Sequence, residues 1–259
     1  MAVDWEGERR ARGAEMARVE KRLHASFREL VSGTLERIEP RVMSGSRPDP
    51  RGAYAAQGWF GKELDEWVDI DLREVAMDPL DGIDVIPSST KLINDYLDGA
   101  KNRLVNVPDR VYAVVAEIVS EGVENGDTND QLAERVARLF GDEGVEMWEG
   151  RVMTVVRTEA LAAQNAGQYA SFLSIAALDD TPWEKAWLST VDARVRETHR
   201  RADQQRVPLT ARFTVGGARL LYPGDPSGPP EEVINCRCSL LMLEPGEEID
   251  LSNRQFEGD

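Results

Sequence analysis

The sequence has few of the residues that build disulfide-rich, secreted or membrane proteins. Of its 259 residues only two are cysteine and two are histidine, and aromatic residues make up 7%. Two cysteines are too few for a disulfide framework, and no apolar run approaches the ~18 residues that a membrane span requires. The N-terminus lacks the apolar core of a secretory signal. These absences predict a protein that is synthesised in a cytoplasm and does not associate with a membrane.

Positive charge is also scarce, which limits the partners that the chain can bind. The chain has 31 Lys and Arg residues and 47 Asp and Glu residues, which give a net charge of −16. A field of this sign repels phosphate, so broad non-specific binding to nucleic acid is disfavoured. Positive charge is concentrated between residues 184 and 220, whereas residues 244–259 form an acidic tail that is typical of a solvated chain end.

Helical periodicity, in contrast, is abundant. Through most of the chain before Pro182, apolar residues recur at intervals of three or four, as in amphipathic helices. Beyond it, short apolar runs alternate with Gly- and Pro-rich turns, which are typical of strands and hairpins. We therefore predict an α+β protein with a mainly helical N-terminal two-thirds and a small mixed α/β C-terminal module. The predicted segments are an amphipathic helical arm (1–42), a linker with short helices (43–88), a helical domain (89–180), the C-terminal module (181–243) and the acidic tail (244–259).

Local signals place several elements within these segments. Continuous periodicity predicts a long helix over Val145–Ala177. Thr128 and Gln131 have the spacing of a capping box, in which each side chain binds the backbone amide of the other residue. The segment Phe213–Tyr222 contains a Gly-Gly turn between apolar runs and predicts a β-hairpin.

The two cysteines form a Cys-X-Cys pair, Cys236 and Cys238, between apolar runs at Val233-Ile234 and Ser239–Leu243 that predict strands. A disulfide across one intervening residue would close a strained ring. Thiolates together with the imidazole of His199 favour zinc, so a structural zinc ion is one interpretation. The alternatives are two buried, reduced thiols that pack like small apolar side chains, or a redox pair.

A complete tetrahedral set would need a fourth ligand, for which the sequence offers Asp192, Asp225 or water. His199 has a second interpretation, as a general base oriented by Asp192 or Asp203. The plainer alternative is a histidine that hydrogen-bonds a backbone carbonyl and fixes its loop. Since no recognisable nucleophile motif lies near His199, we predict that the protein is not an enzyme.

Polar residues on the long predicted helix are expected to dock it against another layer. Arg157 and Asn165 are eight residues apart, about two helical turns, so they lie on one face. We expect Arg157 to reach a carboxylate such as Asp192 or Asp225, with bidentate geometry. An ordinary exposed ion pair is the alternative.

The candidates for contact with nucleic acid are four arginines, Arg194, Arg196, Arg200 and Arg201. Arginine binds backbone phosphate without reading base sequence. The alternative partners of these arginines are the chain's own carboxylates, which outnumber its cations. Arg200 and Arg201 are the predicted nucleic-acid-binding pair.

The order and spacing of these motifs resemble the C-terminal domain of the phage Mu protein F-like minor head, or head morphogenesis, proteins. The resemblance covers about 151–243, a little over a third of the chain. Its motifs are Arg157-Thr158-Glu159, Asn165, Trp187, Asp192-X-Arg194-X-Arg196-X-X-His199, Phe213-X-Val215-Gly216-Gly217, Tyr222-Pro223-Gly224-Asp225-Pro226 and Asn235-Cys236-Arg237-Cys238. One position departs from the family pattern: after the histidine the family tends to have Asp-Gly-Gln, and this chain has Asp203-Gln204-Gln205.

The resemblance implies a minor capsid protein of a tailed phage, bound to the portal or capsid interior and acting in head assembly and DNA packaging or delivery. It implies the portal protein, the major capsid protein and packaged DNA as partners, with several copies in the virion after synthesis in the host cytoplasm. Two alternatives remain open: a metal-dependent hydrolase or nuclease that uses His199, Cys236 and Cys238, and a DNA-contacting protein that uses Arg194–Arg201. The residues expected to form a structural polar cluster are Arg157, Glu159, Asn165, Asp192, Arg194, Arg196, His199, Asp225 and Asn235.

Overall fold

A computed structural model describes residues 3–38, 51–128, 131, 134–135, 138, 142–190 and 192–250 of the chain. The end of the predicted arm (39–42), the start of the predicted linker segment (43–50) and the acidic tail beyond Asp250 lie outside these residues. Leu132, Val136, Leu139 and Phe140, whose spacing predicts the apolar face of a helix after Thr128, also lie outside them. The capping box itself is present, because the backbone amide of Thr128 donates to Gln131 Oε1 (2.7 Å) and that of Gln131 donates to Thr128 Oγ1 (3.3 Å).

Helices make up most of the described chain. Their bounds are α1 (Trp5–Ile38), α2 (Arg51–Trp67), α3 (Arg73–Met77), α4 (Pro87–Leu104), α5 (Val107–Glu124), α6 (Asp142–Ala176), α7 (Glu197–Ala202) and α8 (Pro230–Val233). A π-helical turn (Val68–Leu72) joins α2 to α3, and a 3₁₀ turn (Asp78–Leu80) follows α3. Proline begins α4 and lies in the first turn of α5, where its missing N–H removes no intrahelical hydrogen bond.

The strands are short and lie at the two ends of the described chain. They are β1 (Val3–Asp4), β2 (Glu184–Leu188), β3 (Arg206–Pro208), β4 (Phe213–Val215), β5 (Ala218–Leu220), β6 (Ser239–Leu243) and β7 (Ile249–Asp250). Among the described residues, β2 is the central strand of an antiparallel sheet with the order β3-β2-β6, in which Trp187 lies opposite Leu240. The predicted hairpin is formed by β4 and β5, and β1 pairs in parallel with β7.

The predicted fold class is confirmed, since 63% of the protein is helical and the antiparallel strands are confined to a small C-terminal module. The chain divides into two compact units. The first comprises Met1–Leu23, Asp71–Asp98 and Thr154–Asp259, and the second comprises His24–Ile70 and Gly99–Met153. No helix in the described part of the chain is both long and apolar enough to span a membrane.

The second half of α6 is the central helix of the first unit. Residues 159–172 are buried on every face, and many of them are alanine. Small side chains allow neighbouring backbone to approach closely. At Gly167, an added Cβ would lie 1.9 Å from the carbonyl oxygen of Ala76, so glycine is required there. A helix that is buried all round must bind its neighbours through its polar side chains as well as its apolar ones.

The second unit is held by aromatic side chains. The ring centroids of Phe27 and Trp67 are 4.9 Å apart, and Trp67 Nε1 donates to Ser26 Oγ at 2.9 Å. His24 Nε2 lies 2.7 Å from a carboxylate oxygen of Glu149. The second histidine of the chain is therefore paired within this unit.

The bounds of the predicted arm stay a prediction. In the structure its described residues up to Leu23 belong to the first unit, where Arg9 of α1 pairs with Asp203 at 3.3 Å. One sequence interpretation differs from the structure. The Val233-Ile234 run was predicted to be a strand, but Val233 ends α8. The Pro229-Pro230 pair begins this short helix, because proline fits the first turn of a helix and disfavours an interior strand.

Candidate functional site: a buried histidine–cysteine cluster

His199 and the two cysteines meet in one buried cluster in the first unit. His199 Nδ1 lies 3.3 Å from Cys238 Sγ and 3.7 Å from Cys236 Sγ. The three ligand atoms all lie within 4.8 Å of one another, and each residue is at most 2% exposed. Both cysteines are free thiols. Within the described residues, this is the group of His, Cys, Asp and Glu side chains whose spacing suits a metal ion.

Short elements from different parts of the module bring the cluster together. His199 lies on α7, Cys236 lies in the turn after α8, and Cys238 directly precedes β6. Asn235 makes the turn possible, since its φ of 56° is a left-handed conformation that asparagine tolerates. Its backbone amide donates to Thr158 Oγ1 of α6 at 3.0 Å, which fixes the turn against the central helix.

Glu232 orients the histidine from the opposite side. Its Oε2 lies 3.0 Å from His199 Nε2 and also accepts a hydrogen bond from Thr198 Oγ1 at 2.8 Å. We assign the proton of the neutral ring to Nε2, because an ionised carboxylate can only accept. The lone pair of Nδ1 then faces the two sulfur atoms. The hairpin residue Gly216 (φ 56°) leaves room for this carboxylate, since an added Cβ would lie 1.9 Å from Glu232 Oε1.

Aromatic rings close the cluster. The rings of Trp187 and His199 meet edge-on with centroids 5.6 Å apart, and Phe213 packs edge-on against Trp187 at 5.4 Å. Trp187 and Phe213 are fully buried. The cluster is therefore shielded from bulk solvent by the sheet and the hairpin.

Burial, hydrogen bonds and neighbouring charges shift the pKa values of the three residues in the cluster. Burial, with the neighbouring sulfur of Cys236, raises the pKa of Cys238 well above its usual value. Burial is also the largest single cause at Cys236 and opposes its ionisation, but hydrogen bonds from Cys238, together with the positive charges of Arg196 and Arg237, outweigh it and lower that pKa. For His199, burial is the largest single cause and lowers the pKa, but the hydrogen bond to Cys238 and the negative charges of Cys238 and Glu232 together outweigh it, so the net direction is upward. Negative charge in the cluster is thus favoured on Cys236.

Asn165 ties the cluster to the central helix. Its Nδ2 donates to the carbonyl oxygens of Cys238 and Pro223, both at 2.9 Å, and the residue is 2% exposed. On the same helix, buried Glu159 accepts a hydrogen bond at 2.9 Å from Tyr96, which lies on α4. These two predicted polar residues of α6 therefore hold the loops on one side and a helix on the other.

Arg157 does not bind the carboxylates expected from the sequence. It pairs with Glu20 of α1 at 3.3 Å, whereas Asp192 is held by Arg237 with one contact of 2.8 Å. Arg157 and Asp192 line the same cavity of about 310 Å³, but each has a nearer partner there. The hydrogen bonds from Arg237 lower the pKa of Asp192 to about 2. Asp192 is therefore neither a member of the cysteine cluster nor the residue that orients His199.

Asp225 also has a structural role outside the cluster. Its carboxylate accepts hydrogen bonds from the backbone amides of Leu221 (2.8 Å) and Ser227 (2.9 Å), and it pairs with Arg212 at 3.2 Å. Nearby, Lys185 of β2 is fully buried, and its Nζ donates to the carbonyl oxygen of Leu221 at 2.8 Å. Lys185, Glu232 and Glu20 were not predicted from the sequence, because single charged residues carry no local signal of burial.

The arginines of residues 194–201 have partners within the protein. Arg194 pairs with Asp192 at 3.3 Å, Arg196 donates to the carbonyl oxygen of Ile234, and Arg201 pairs with Glu197 at 2.9 Å. The prediction that Arg200 and Arg201 bind nucleic acid stays a prediction.

The position that departs from the family pattern has an unusual backbone. Gln204 has a φ of 64°, a left-handed conformation in which glycine is favoured over glutamine. Its amide donates to the carbonyl oxygen of Trp187 at 2.8 Å, which extends the pairing of β2 and β3. Glutamine itself therefore occupies the left-handed position of this turn.

Comparisons with known proteins indicate the family of the chain. The sequence model of the family described as Phage Mu protein F like protein matches residues 113–241, which include all the cluster residues. The chain is also similar to uncharacterized protein YqbB of Bacillus subtilis (strain 168), with 22% identity over 252 residues that cover 93% of this chain and 80% of that protein. No solved structure matches it. The chain belongs to the Phage Mu protein F-like family, a family of structural phage proteins that suggests a part in head morphogenesis.

Proposed function

We propose that this protein is a minor head protein of a tailed phage, held at the portal or the inner surface of the capsid. There it acts in head assembly and in DNA packaging or delivery, with the portal protein and the major capsid protein as partners. The observation that carries the proposal is the family match over residues 113–241.

The geometry of the C-terminal module and of the helix α6 that it packs against supports a structural role. Asn165 binds backbone carbonyls, Asp225 binds backbone amides, and both are at most 4% exposed. Such side chains stabilise loops, because each bond satisfies a backbone group that would otherwise be buried without a partner. The module therefore has the properties of a rigid unit that presents a fixed surface to other proteins.

The two alternatives have less support. A hydrolase or nuclease must admit its substrate, whereas His199, Cys236 and Cys238 are at most 2% exposed. A DNA-contacting protein needs available cations, whereas Arg194 and Arg201 pair with the protein's own carboxylates and the net charge is −16. Nuclease assays of the zinc-treated protein test the first alternative. DNA binding at low salt, compared between wild type and the Arg200→Ala, Arg201→Ala variant, tests the second.

The decisive experiment disrupts the gene in the phage that carries it and complements the mutant from a plasmid. We expect loss of infectious particles without the gene, recovery with the wild-type copy, and the protein in purified heads by mass spectrometry. An asymmetric reconstruction of the head then locates it relative to the portal. Wild-type titre without the gene, together with absence of the protein from procapsids and virions, would overturn the proposal.

The structure also decides how the N-terminal segment should be tested. Deleting residues 1–40 would remove Leu23 and Phe27, which are at most 1% exposed, and would disturb both units. Charge reversal on the exposed surface of α1, Arg10→Glu with Lys21→Glu, leaves that core intact. If α1 binds the head, incorporation of this variant falls while its melting temperature is retained. Lys91→Glu, an exposed cation on α4, is the matched control.

A further inference from the structure

We propose that His199 Nδ1 and the Sγ atoms of Cys236 and Cys238 bind one Zn²⁺ ion, which fastens α7, the turn after α8 and the start of β6 to one another. The ion would crosslink these three elements, as a disulfide does in other small domains, in a module that has only two cysteines. This inference concerns the stability of the module and does not depend on the role proposed in the phage head.

The distances fit a tetrahedral zinc ion. With Zn–S bonds of about 2.3 Å and Zn–N bonds of about 2.05 Å, tetrahedral angles separate nitrogen from sulfur by about 3.6 Å. The observed separations of His199 Nδ1 from the two sulfurs, 3.3 and 3.7 Å, lie on either side of this value. The nitrogen therefore needs only small shifts relative to each sulfur, and all three ligand atoms lie within 4.8 Å of one another.

The surroundings of the histidine also suit a metal ligand. Histidine ligands commonly donate their second N–H to a carboxylate, which fixes the tautomer and makes the ligating nitrogen more basic. Glu232 is placed for this role at 3.0 Å from Nε2, on the side of the ring away from the sulfurs. Gly216 leaves space for the carboxylate, and Thr198 holds one of its oxygens.

No side chain of the usual ligand types among the described residues supplies the fourth coordination position of the zinc ion. Among the described residues, no further His, Cys, Asp or Glu joins the group. The two aspartates that the sequence offered, Asp192 and Asp225, are bound by Arg237 and by backbone amides. We therefore expect two thiolates, one imidazole and a non-protein ligand such as water.

The first test measures metal in the full-length protein, purified under reducing conditions with a tag that contains no histidine. We expect about one zinc per chain by mass spectrometry of the metal. Replacement by Co²⁺ should give the thiolate-to-cobalt charge-transfer band and the intense visible bands of a tetrahedral site. His24→Asn, which changes the other histidine, is the matched control and should retain the metal.

Three substitutions test the assignment of ligands. Cys236→Ser and Cys238→Ser should each abolish stoichiometric zinc, and Glu232→Gln should weaken zinc binding about 10- to 100-fold through His199. Because a ligand variant can fail to fold, the wild-type protein provides a second readout. Treatment with a chelator should lower its melting temperature and make both thiols react with iodoacetamide.

The inference is overturned if the folded, reduced wild-type protein binds neither zinc nor cobalt, or if the chelator changes neither its melting temperature nor its thiol reactivity. It is also overturned if the two serine variants keep one zinc per chain. In each case the cluster would be a hydrogen-bonded pair of thiols, and the proposed role in the phage head would be unaffected.

Discussion

Replacing the buried lysine of the central strand should change how the stability of the protein depends on pH. Lys185 is fully buried, and its Nζ lies 4.2 Å from the ring centroid of Tyr169 and 2.8 Å from the carbonyl oxygen of Leu221. Lys185→Met keeps a similar unbranched shape and removes the charge. It also removes the hydrogen bond to Leu221, which costs about 1 kcal/mol at every pH.

The sign and the size of the effect follow from the pKa of Lys185. Burial lowers it from 10.5 to about 7, with Asp225 opposing the decrease and Arg212 adding to it. Between these values the unfolded chain binds a proton that the folded protein does not, so wild-type stability rises with pH by up to about 1.4 kcal/mol per pH unit. Below about pH 7 both states are protonated, and the full cost of burying the charge, at most about 5 kcal/mol, is present.

The assay is urea unfolding of both proteins, followed by near-ultraviolet circular dichroism from pH 7 to pH 9.5. We expect the stability of Lys185→Met relative to wild type to fall by about 2–3 kcal/mol across this range, because only wild type gains from deprotonation. Lys91→Met, at an exposed position, controls for removal of a lysine charge. If the difference between Lys185→Met and wild type is the same at both ends of the range, Lys185 is charged throughout and the argument is wrong.

Three further predictions concern the loops around the cluster. Asn165→Ala leaves two buried carbonyls without their donor and should cost about 2–4 kcal/mol in urea unfolding; a cost below about 1 kcal/mol would contradict this. Gln204→Gly relieves a left-handed residue and should raise stability by about 0.5–1 kcal/mol, whereas a lower melting temperature would show that glutamine is unstrained. Asp192→Asn removes a carboxylate whose pKa is lowered to about 2 by Arg237. The advantage of wild type should therefore be complete above about pH 4 and shrink as the pH falls to 2, and a constant difference would argue against the pair.

Local patterns predicted much of this fold because they are set by local physics. The long helix α6, the capping box at Thr128 and the β4–β5 hairpin each follow from periodicity or turn chemistry within a few residues. The strand predicted at Val233-Ile234 failed for the same kind of reason. Its β-branched residues favour a strand, but the prolines before them begin a short helix.

Partner choice among charged residues could not be predicted from such patterns. Arg157 binds Glu20, a residue 137 positions away, because α1 passes beside α6 in the first unit. Asp192 has the right charge to pair with Arg157, but in the structure Arg237 forms the hydrogen bond to it. Coulomb attraction requires only that the partner of an arginine be negatively charged. Which of the 47 acidic residues pairs with Arg157 is therefore decided by how the chain packs.

The sequence by itself determined the fold class, the family and the ligand types of the cluster, since these depend on periodicity, motif order and the chemistry of single side chains. Only the tertiary structure decided that His199 meets both thiols, that Glu232 rather than an aspartate holds its other nitrogen, and that Lys185 is buried. The physical reason is that these contacts join α7, the hairpin, α8 and β6, which are separated along the chain. Their distances are fixed by packing against the central helix and not by any spacing in the sequence.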